Sequence, residues 1–230
     1  FRVYNKSSED MKEVEPESAD LVITDPPFNV GTCFGSKVDN DPHEKYINMM
    51  RNITSEIGRV LSPKGLALML VPAMVKKGLT TYAYPKIYSS ICNDNGLKLL
   101  DSFSYLVTED DFDCVPMKEI LKSDLSRKCH SEEIVGLVFS KGKQKINTFP
   151  QKRFYRYVPR EGHPCPYPPE LMKDLLDTFF RSGDAVIDPF MGTGSLGVEV
   201  LRRQGSFIGY ELDRNFYLKA KRKCNGALKR

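Results

Sequence analysis

The sequence predicts an α/β fold built around a mostly parallel sheet. Short apolar runs alternate with amphipathic segments along most of the chain, which is the pattern of parallel α/β architecture. Near the C-terminus a glycine-rich turn leads from an apolar run straight into a helical segment, as the turn of a βαβ unit does. A chain of 230 residues suits one domain with a sizeable core, so we expect residues 1–230 to form a single domain.

The individual elements follow from apolar periodicity and from proline and glycine punctuation. The predicted strands are Ala19–Thr24, Leu66–Val71, Lys98–Val107, Ile134–Ser140, Ala185–Asp188 and Ser206–Glu211, with Phe1–Tyr4 as a further candidate. The predicted helices are His43–Leu61, Pro169–Phe180, Leu196–Gln204 and Asp213–Leu228. Residues 96–140 hold two strands separated by the polar loop Glu109–Asp113, without a clear helix between them. We therefore expect an antiparallel hairpin at one edge of the sheet.

The composition is that of a globular protein. Hydrophobic residues make up 40% and charged residues 28%, and no stretch is long enough to cross a bilayer, so we expect no membrane partner. The six cysteines form no CxxC pair and only three histidines are present, so we expect no metal site. Dispersed thiols suit a reducing compartment, which predicts an intracellular protein without distinguishing nucleus from cytoplasm.

The glycine-rich turn has the spacing of an adenosine-cofactor site. Gly192, Gly194 and Gly197 follow a predicted strand in GxGxxG spacing and open a helix, and Glu211 ends the next strand about 20 residues on. Glycine lets the backbone approach a ligand where a Cβ would clash, and the carboxylate can accept both ribose hydroxyls. NAD and S-adenosylmethionine share that ribose, so the spacing alone does not choose between them.

Two features favour S-adenosylmethionine over NAD. Glu211 lies 19 residues before residue 230, so we expect that no nicotinamide-binding half follows it. Asp188 precedes the turn, where its charge would oppose a pyrophosphate but favour a sulfonium or an ammonium ion. An NAD-dependent oxidoreductase stays as an alternative that a titration with both cofactors would separate.

A second motif lies near the N-terminus, where the predicted strand Ala19–Thr24 stops at Asp25-Pro26-Pro27-Phe28. Paired prolines fix φ and remove two backbone donors, which leaves rigid carbonyl acceptors at the strand end. Such acceptors can take both hydrogens of a base amino group and aim its lone pair at an electrophile, while Phe28 stacks on the extruded base. An ordinary turn that closes the strand is the alternative interpretation.

The segment from Lys141 to Arg160 is basic and aromatic. It holds seven basic residues and no acidic one, interleaved with Phe149, Phe154, Tyr155 and Tyr157. This pattern predicts contacts to nucleic-acid phosphates and bases, although a solvated strand and linker would have the same composition. The candidate phosphate-binding residues are Lys141, Lys143, Lys145, Lys152, Arg153 and Arg156.

Together, in this order, the two motifs resemble those of the DNA amino-methyltransferases that modify N6 of adenine or N4 of cytosine. The segments Arg59–Gly65, Glu132–Gly142 and His163–Leu171 are also similar to segments of that family. The resemblance implies a Rossmann-like class I methyltransferase fold with a seven-stranded, mostly parallel sheet, an antiparallel edge hairpin and the circularly permuted motif order of the beta class.

The resemblance also implies roles for residues. Asp25, Pro26, Pro27 and Phe28 would hold the base and form the catalytic motif. The cofactor S-adenosylmethionine would be held by Asp188, Pro189, Phe190, Met191, Gly192, Thr193, Gly194, Ser195 and Glu211, with Tyr167 where the family usually carries a lysine. Residues 141–162 stand in place of a full target-recognition domain, so a homodimer or a partner subunit would supply sequence recognition.

The implied activity is methylation of a base amino group in DNA. Aspartate at the first position of the catalytic motif goes more often with adenine, which favours N6-adenine over N4-cytosine. RNA as the substrate, and a non-catalytic subunit that binds cofactor and DNA for an active partner, are the remaining alternatives. No metal is required for direct transfer by positioning and preset electrostatics.

Overall fold

The computed structural model describes residues 1–108, 132–146, 148–150, 152, 154–156 and 167–229. The strands within these ranges are β1 (Arg2–Tyr4), β2 (Ala19–Thr24), β3 (Cys33–Phe34), β4 (Lys37–Val38), β5 (Leu61–Pro72), β6 (Val75–Lys77), β7 (Thr80–Tyr82), β8 (Lys98–Thr108), β9 (Glu132–Ser140), β10 (Phe154–Arg156), β11 (Ala185–Asp188) and β12 (Ser206–Tyr210). The helices are α1 (His43–Val60), α2 (Tyr84–Asp94), α3 (Pro169–Phe179), α4 (Ser195–Arg202) and α5 (Arg214–Ala227).

The described strands form one main sheet and two small hairpins. The order of the main sheet is β1-β12-β11-β2-β5-β9-β8-β10. Strand β9 runs antiparallel to both of its neighbours, and the other seven strands are parallel to one another. The mostly parallel α/β sheet predicted from the sequence is therefore confirmed, with the reversed strand inside it.

Two details of the predicted sheet are wrong. The main sheet has eight strands among the described residues rather than seven, because β10 pairs in parallel with β8. The antiparallel pair β8–β9 therefore lies one strand in from the edge. The sequence predicts only a nucleic-acid role for the segment of β10, because three residues are too few to display a strand period. The predicted loop Glu109–Asp113 lies outside the described residues.

The helices cover the sheet on both faces. Alternate residues of β2 and β5 belong to different cores: Val22 and Met69 pack with α1 and α2, whereas Ile23 and Leu70 pack with α3 and α4. A strand buried on both faces is a near-continuous apolar run, as these two are. None of the helices among the described residues is long and apolar enough to span a bilayer.

The remaining differences from prediction are local. Strand β5 begins at Leu61, the last residue of the predicted helix, because Leu61 pairs with Ala19 at the start of β2. Residues 62–65 lie in the register shift before Leu66 pairs with Leu21. Helix α2 and the hairpins β3–β4 and β6–β7 were not predicted. Helix α2 has no side-chain N-cap and no acidic residue in its first turn, so Pro85 is its main start signal.

Candidate active site

The chain reverses its direction of travel across the sheet between β2 and β11. Strand β2 leads through α1 to β5 on one side, and β11 leads through α4 to β12 on the other. The two strands are parallel neighbours, with Leu21 opposite Val186 and Val22 opposite Ile187. A crevice opens at the carboxyl ends of the strands at such a switch point, and ligands of α/β proteins bind there.

A cavity of about 330 Å³ occupies this crevice and is lined by both predicted motifs. Of the residues predicted to form the site, those that line it are Asp25, Pro26, Pro27, Phe28, Tyr167, Pro189, Phe190, Met191, Gly192, Thr193, Ser195 and Glu211. Segments more than 160 residues apart in the sequence thus meet in one cavity, because β2 and β11 pair in parallel and end at the same sheet edge.

Three buried tyrosines hold the Asp-Pro-Pro-Phe turn in place. The Tyr46 hydroxyl donates to the Pro27 carbonyl at 2.9 Å, and the Tyr84 hydroxyl donates to the Phe28 carbonyl at 2.8 Å. The Tyr46 and Tyr88 hydroxyls share a further hydrogen bond of 2.6 Å. Helices α1 and α2 therefore fix the backbone of the turn from one side.

Sequence reasoning missed this tyrosine cluster, although a signal exists. Tyr46 lies among apolar residues on the buried face of α1, and Tyr84 and Tyr88 lie four residues apart on the buried face of α2. A buried tyrosine hydroxyl needs a partner, so three of them on core faces indicate a polar group nearby. Here those groups are the carbonyls of the proline turn.

Asp188 lies beneath the cavity at the end of β11. Its side chain is 1% exposed and accepts a hydrogen bond from the Phe190 amide at 3.0 Å. Burial, with a further contribution from the nearby Glu211 carboxylate, raises the pKa of Asp188 to about 7. A buried carboxylate of this kind favours a cation in the space next to it.

Glu211 follows β12 and lines the cavity beside the glycine loop. Its Oε1 accepts from the Asp213 amide at 2.7 Å, and its own amide donates to the Tyr4 carbonyl at 3.0 Å. Burial raises the pKa of Glu211 from its ordinary value, with backbone donors at Asp213 and Gly192 acting in the opposite direction. The carboxylate is thus fixed in direction and has acceptor capacity left for a ligand.

Gly192 and Gly194 of the loop have different structural roles. Gly192 has φ of +51° and lines the cavity, as expected for close backbone approach to a ligand. Gly194 has φ of +75°, but a Cβ there would lie 2.8 Å from Ala220 Cβ of α5 rather than in the cavity. The expected reason for Gly194, access for the ligand, is therefore replaced by the packing of α5 against the turn.

We expect Gly194→Ala to destabilise the fold by about 1–3 kcal/mol, because it adds both a left-handed strain and a steric overlap. Thermal unfolding measures this as a lower Tm. Gly226→Ala is the matched control, since Gly226 lies in α5 with open space around it and should be neutral or stabilising. Equal Tm values for the two variants would contradict the packing role of Gly194.

Tyr167 is a residue that the sequence placed next to the cofactor and that the structure brings to the cavity wall. Its hydroxyl is buried and has no hydrogen-bond partner among the residues that the structure describes. Burial, and then the charges of Asp25 and Asp188, raise the pKa of Tyr167 well above its ordinary value. The hydroxyl is therefore a neutral donor close to both carboxylates.

The hairpin β3–β4 crosses the cavity and joins its two halves. The Ser36 amide and hydroxyl both donate to Asp213 Oδ2 at 3.1 Å, and Asp213 also caps α5 by accepting from the Asn215 and Phe216 amides. Thr32, Phe34 and Ser36 line the cavity from this side. The hairpin therefore covers both the Asp-Pro-Pro-Phe turn and the glycine loop.

The basic segment after β9 does not reach this cavity at its start. Lys141 Nζ lies 3.0 Å from Glu17 Oε1 and 3.0 Å from the Leu61 carbonyl, at the amino ends of the parallel strands. The cavity is at the opposite edge, so Lys141 is badly placed to contact DNA bound there. Lys143 and Lys145 are exposed, and Gln144 between them bonds back to Ser140 at the same edge.

The described residues of β10 lie nearer to the cavity edge, because β10 pairs with the carboxyl end of β8. Lys152 pairs with Glu170 and lies 5.8 Å over the Tyr155 ring. Arg156 is the last residue of β10 and so lies at the carboxyl edge of the sheet, although its side chain is outside the described residues. Arg153 and residues 157–166, which include the start of the segment His163–Leu171, also lie outside the described residues.

Comparisons with known proteins agree with this arrangement. A family model described as DNA methylase, of the N6/N4 methyltransferase type, matches residues 19–154 and 115–222. The type II methyltransferase M.HpaI of Haemophilus parainfluenzae is 26% identical over 244 residues, which span 94% of this chain and 71% of M.HpaI. The DNA adenine methyltransferase YhdJ of Escherichia coli K12 is 21% identical over 240 residues, 93% of this chain and 79% of YhdJ.

A solved structure shares the fold. The Thermus thermophilus protein TTHA0409, crystallised with S-adenosyl-L-methionine, superposes with a TM-score of 0.67 at 19% identity and covers 99% of this chain and 95% of its own. The family match spans most of the chain and includes the strand before Asp25, the glycine loop and Glu211. The chain belongs to the DNA methylase family, whose members are S-adenosylmethionine-dependent methyltransferases of adenine N6 or cytosine N4 in DNA.

Proposed function

We propose that this chain methylates N6 of adenine in DNA, with the base held at Asp25-Pro26-Pro27-Phe28 and S-adenosylmethionine held at the loop from Phe190 to Ser195. The observation that carries the proposal is that Asp25 and Gly192 line one cavity at the switch point between β2 and β11. The base would therefore be held by the N-terminal motif and the cofactor by the C-terminal motif, in one cavity.

The residues at the cavity fit the cofactor. Glu211 offers a directed carboxylate for the ribose hydroxyls, and the left-handed Gly192 lets the backbone approach the ligand. The negative charge at Asp188 and the buried Tyr167 hydroxyl suit the charged methionine end, where a cation and a carboxylate lie side by side. When bound, S-adenosylmethionine supplies an electrophilic methyl group on a sulfonium.

The catalytic turn would work by positioning. Two prolines and the Tyr46 and Tyr84 hydrogen bonds hold the turn rigid, so that its acceptors do not reorganise when a base enters. The Asp25 carboxylate would accept one hydrogen of the base amino group, which directs the nitrogen lone pair away from the ring plane and toward the cofactor side of the cavity. Asp25 would then take up the proton that the methylated nitrogen releases.

Phe28 would stack on the extruded base. It is half-buried, lines the cavity and packs against both cores of the protein, so its ring is held in a fixed place. A base taken out of the duplex loses its stacking energy, and an aromatic platform recovers part of it.

Adenine is favoured over cytosine by Asp25 at the first position of the catalytic turn, as the family resemblance implies. We further propose that residues 1–230 act as one catalytic domain, and that the short segment 141–162 leaves sequence recognition to a second copy or a partner subunit. The position of Lys141 supports the second point, because this lysine lies at the amino ends of the parallel strands, away from the cavity.

Nucleoside mass spectrometry tests the proposed activity. Unmethylated plasmid DNA and total RNA are incubated with the protein and methyl-deuterated S-adenosylmethionine, and then digested to nucleosides. We expect deuterated N6-methyldeoxyadenosine from DNA. Label in N4-methyldeoxycytidine would replace adenine by cytosine, and label found only in RNA would overturn the DNA substrate. No label in any nucleoside, with the cofactor bound, would point to a non-catalytic subunit.

Cofactor affinity should depend on pH through Asp188. Its pKa of about 7 means that the carboxylate is mostly charged above pH 7 and mostly protonated below it, so binding of a cation strengthens as pH rises and weakens as pH falls. Between pH 8 and pH 6 we expect the Kd to rise about tenfold. Calorimetry measures the Kd at each pH.

Two controls isolate the charge effect. Asp188→Asn should bind more weakly at pH 8 and lose most of the pH dependence. S-adenosylhomocysteine lacks the sulfonium charge but keeps the ammonium, so it identifies the cation on which Asp188 acts. A smaller pH effect with the native protein would assign the sulfonium, and an unchanged one the ammonium. A flat profile for S-adenosylmethionine with the native protein would mean that Asp188 does not act on the cation.

A further inference from the structure

A small hairpin at the cavity edge presents an apolar side chain to solvent. Strands β6 and β7 pair antiparallel, with Lys77 opposite Thr80, so that Gly78 and Leu79 form the tip. Leu79 is 104% exposed, more than any other large apolar side chain that the structure describes. An apolar side chain that touches nothing adds no stability to the fold. Single exposed apolar residues are common, so a binding role for Leu79 has to follow from its position and its neighbours.

The hairpin is close to the catalytic turn. It follows the carboxyl end of β5, and β5 is the immediate neighbour of β2, the strand that ends at Asp25. Neighbouring strands lie about 4.8 Å apart. The hairpin therefore rises from the same rim on which the base-binding turn lies.

The base of the hairpin is anchored to the rim. Val75 is 3% exposed, and the Tyr82 ring stacks on His43 with centroids 3.9 Å apart. Lys77 Nζ donates to the carbonyl of Asp41, a residue of the cavity wall, at 3.1 Å. The tip is thus carried by a fixed support rather than by a free loop.

The charge around the hairpin suits a polyanion. From Ile57 to Asn93 the sequence has no acidic residue. Of its five basic residues, Lys76, Lys77 and Lys86 lie in the hairpin or in the helix after it, whereas Arg59 and Lys64 lie near the amino end of β5, at the opposite edge of the sheet. Lys76 beside the tip and Lys86 in the first turn of α2 are both exposed. Phosphates flanking an inserted side chain would find these two amines at the rim.

We propose that the β6–β7 hairpin is a DNA wedge, in which Leu79 enters the base stack and fills the gap left by the extruded base while Lys76 and Lys86 contact the flanking phosphates. Apolar side chains such as leucine are known wedges between base steps, and filling the gap offsets the cost of unstacking. The proposal rests on the proposed function, since it requires that a base leaves the duplex for the cavity.

The test uses a duplex that carries a site methylated by the native protein, mapped from the plasmid experiment. A second duplex has an abasic residue opposite the target base, so that the base is already unpaired. For Leu79→Ala we expect methylation of the paired duplex to fall at least about tenfold, and methylation of the unpaired duplex to change less than about threefold. With 2-aminopurine at the target position, the fluorescence rise on binding should also be lost.

Controls separate wedge loss from general damage. Leu79→Phe keeps a large apolar tip and should retain most activity on the paired duplex. Leu228→Ala removes another leucine that is 60% exposed, after α5, and should leave both duplexes unaffected. Leu79 has no packing role, so the Tm of Leu79→Ala should equal that of the native protein.

Three results would overturn the wedge. They are unchanged methylation of the paired duplex by Leu79→Ala, an equal loss on both duplexes, or a change of oligomeric state in light scattering without a duplex-specific loss. The last would assign Leu79 to a protein interface instead. Failure of the native protein to methylate any DNA would instead count against the proposed function, so the two failures are distinguishable.

Discussion

Asp25→Ala is expected to lower methyl transfer by about 10³-fold while leaving the Kd for S-adenosylmethionine within a few fold of the native value. Asp25 is the group that would accept a hydrogen from the reacting nitrogen, and loss of one preorganised electrostatic partner of a transition state costs about 10²–10³ in rate. The cofactor loop lies on the other strand, β11, so its affinity for the cofactor should survive.

Tritiated-methyl incorporation at saturating DNA and cofactor measures the rate, and calorimetry measures the cofactor Kd. Asp20→Ala is the matched control, because Asp20 lies at the opposite end of the same strand, where it accepts from the Ala185 amide. That variant should lose some stability and keep its turnover. Native turnover in Asp25→Ala would remove Asp25 from the chemistry, and a matching loss of cofactor affinity would make its role structural.

The adjacency of Asp25 and the glycine loop was predictable because both motifs end apolar runs of the kind that form buried parallel strands. Parallel strands end at the same sheet edge, so residues such as Asp25 and Gly192 converge even when most of the chain separates them. The resemblance of both motifs to those of one methyltransferase family supports the same adjacency. This convergence does not depend on where any helix begins or ends.

The support of the site could not be predicted in the same way. Tyr46 and Tyr84 reach the proline turn only because α1 and α2 pack side by side on one face of the sheet, and α2 carries too weak a start signal to be found. Charge was equally misleading, since the basic run at Lys141 lies across the sheet from the cavity. The sequence shows that the segment is basic, but the sheet edge at which it begins depends on the antiparallel direction of β9.

Glycine spacing was informative about the fold and less so about contacts. Gly194 and Gly197 have their missing Cβ directed at Ala220 of α5 and at Phe207 of β12, so two of the three glycines are required by packing. Gly192 alone of the three lines the cavity. A GxGxxG motif therefore indicates a tight strand-to-helix turn first, and a ligand only when a carboxylate such as Glu211 stands at the next strand end.

Glu211→Ala is expected to raise the Kd for S-adenosylmethionine about a hundredfold while leaving kcat at saturating cofactor within a few fold. Two hydrogen bonds from ribose hydroxyls to a charged acceptor contribute about 1.5–3 kcal/mol each, and part of that is offset because burial already raises the pKa of this carboxylate and so disfavours its charged form. Glu211 follows β12, one strand beyond β11, so the variant should not disturb the reacting nitrogen.

Further variants distinguish a ribose contact of Glu211 from a role in ordering the loop. Glu211 also accepts from the Asp213 amide, so Glu211→Gln keeps that acceptor and should bind the cofactor with intermediate affinity. Glu199→Ala, on the exposed face of α4, is the matched control and should bind normally. A cofactor analogue without the 2′-hydroxyl should bind the native protein more weakly than S-adenosylmethionine does. It should bind Glu211→Ala as tightly as S-adenosylmethionine does, because the variant has already lost the hydrogen bond to that hydroxyl. If the analogue discriminates as strongly in the variant, the ribose is held by another residue and the carboxylate serves only to order the loop.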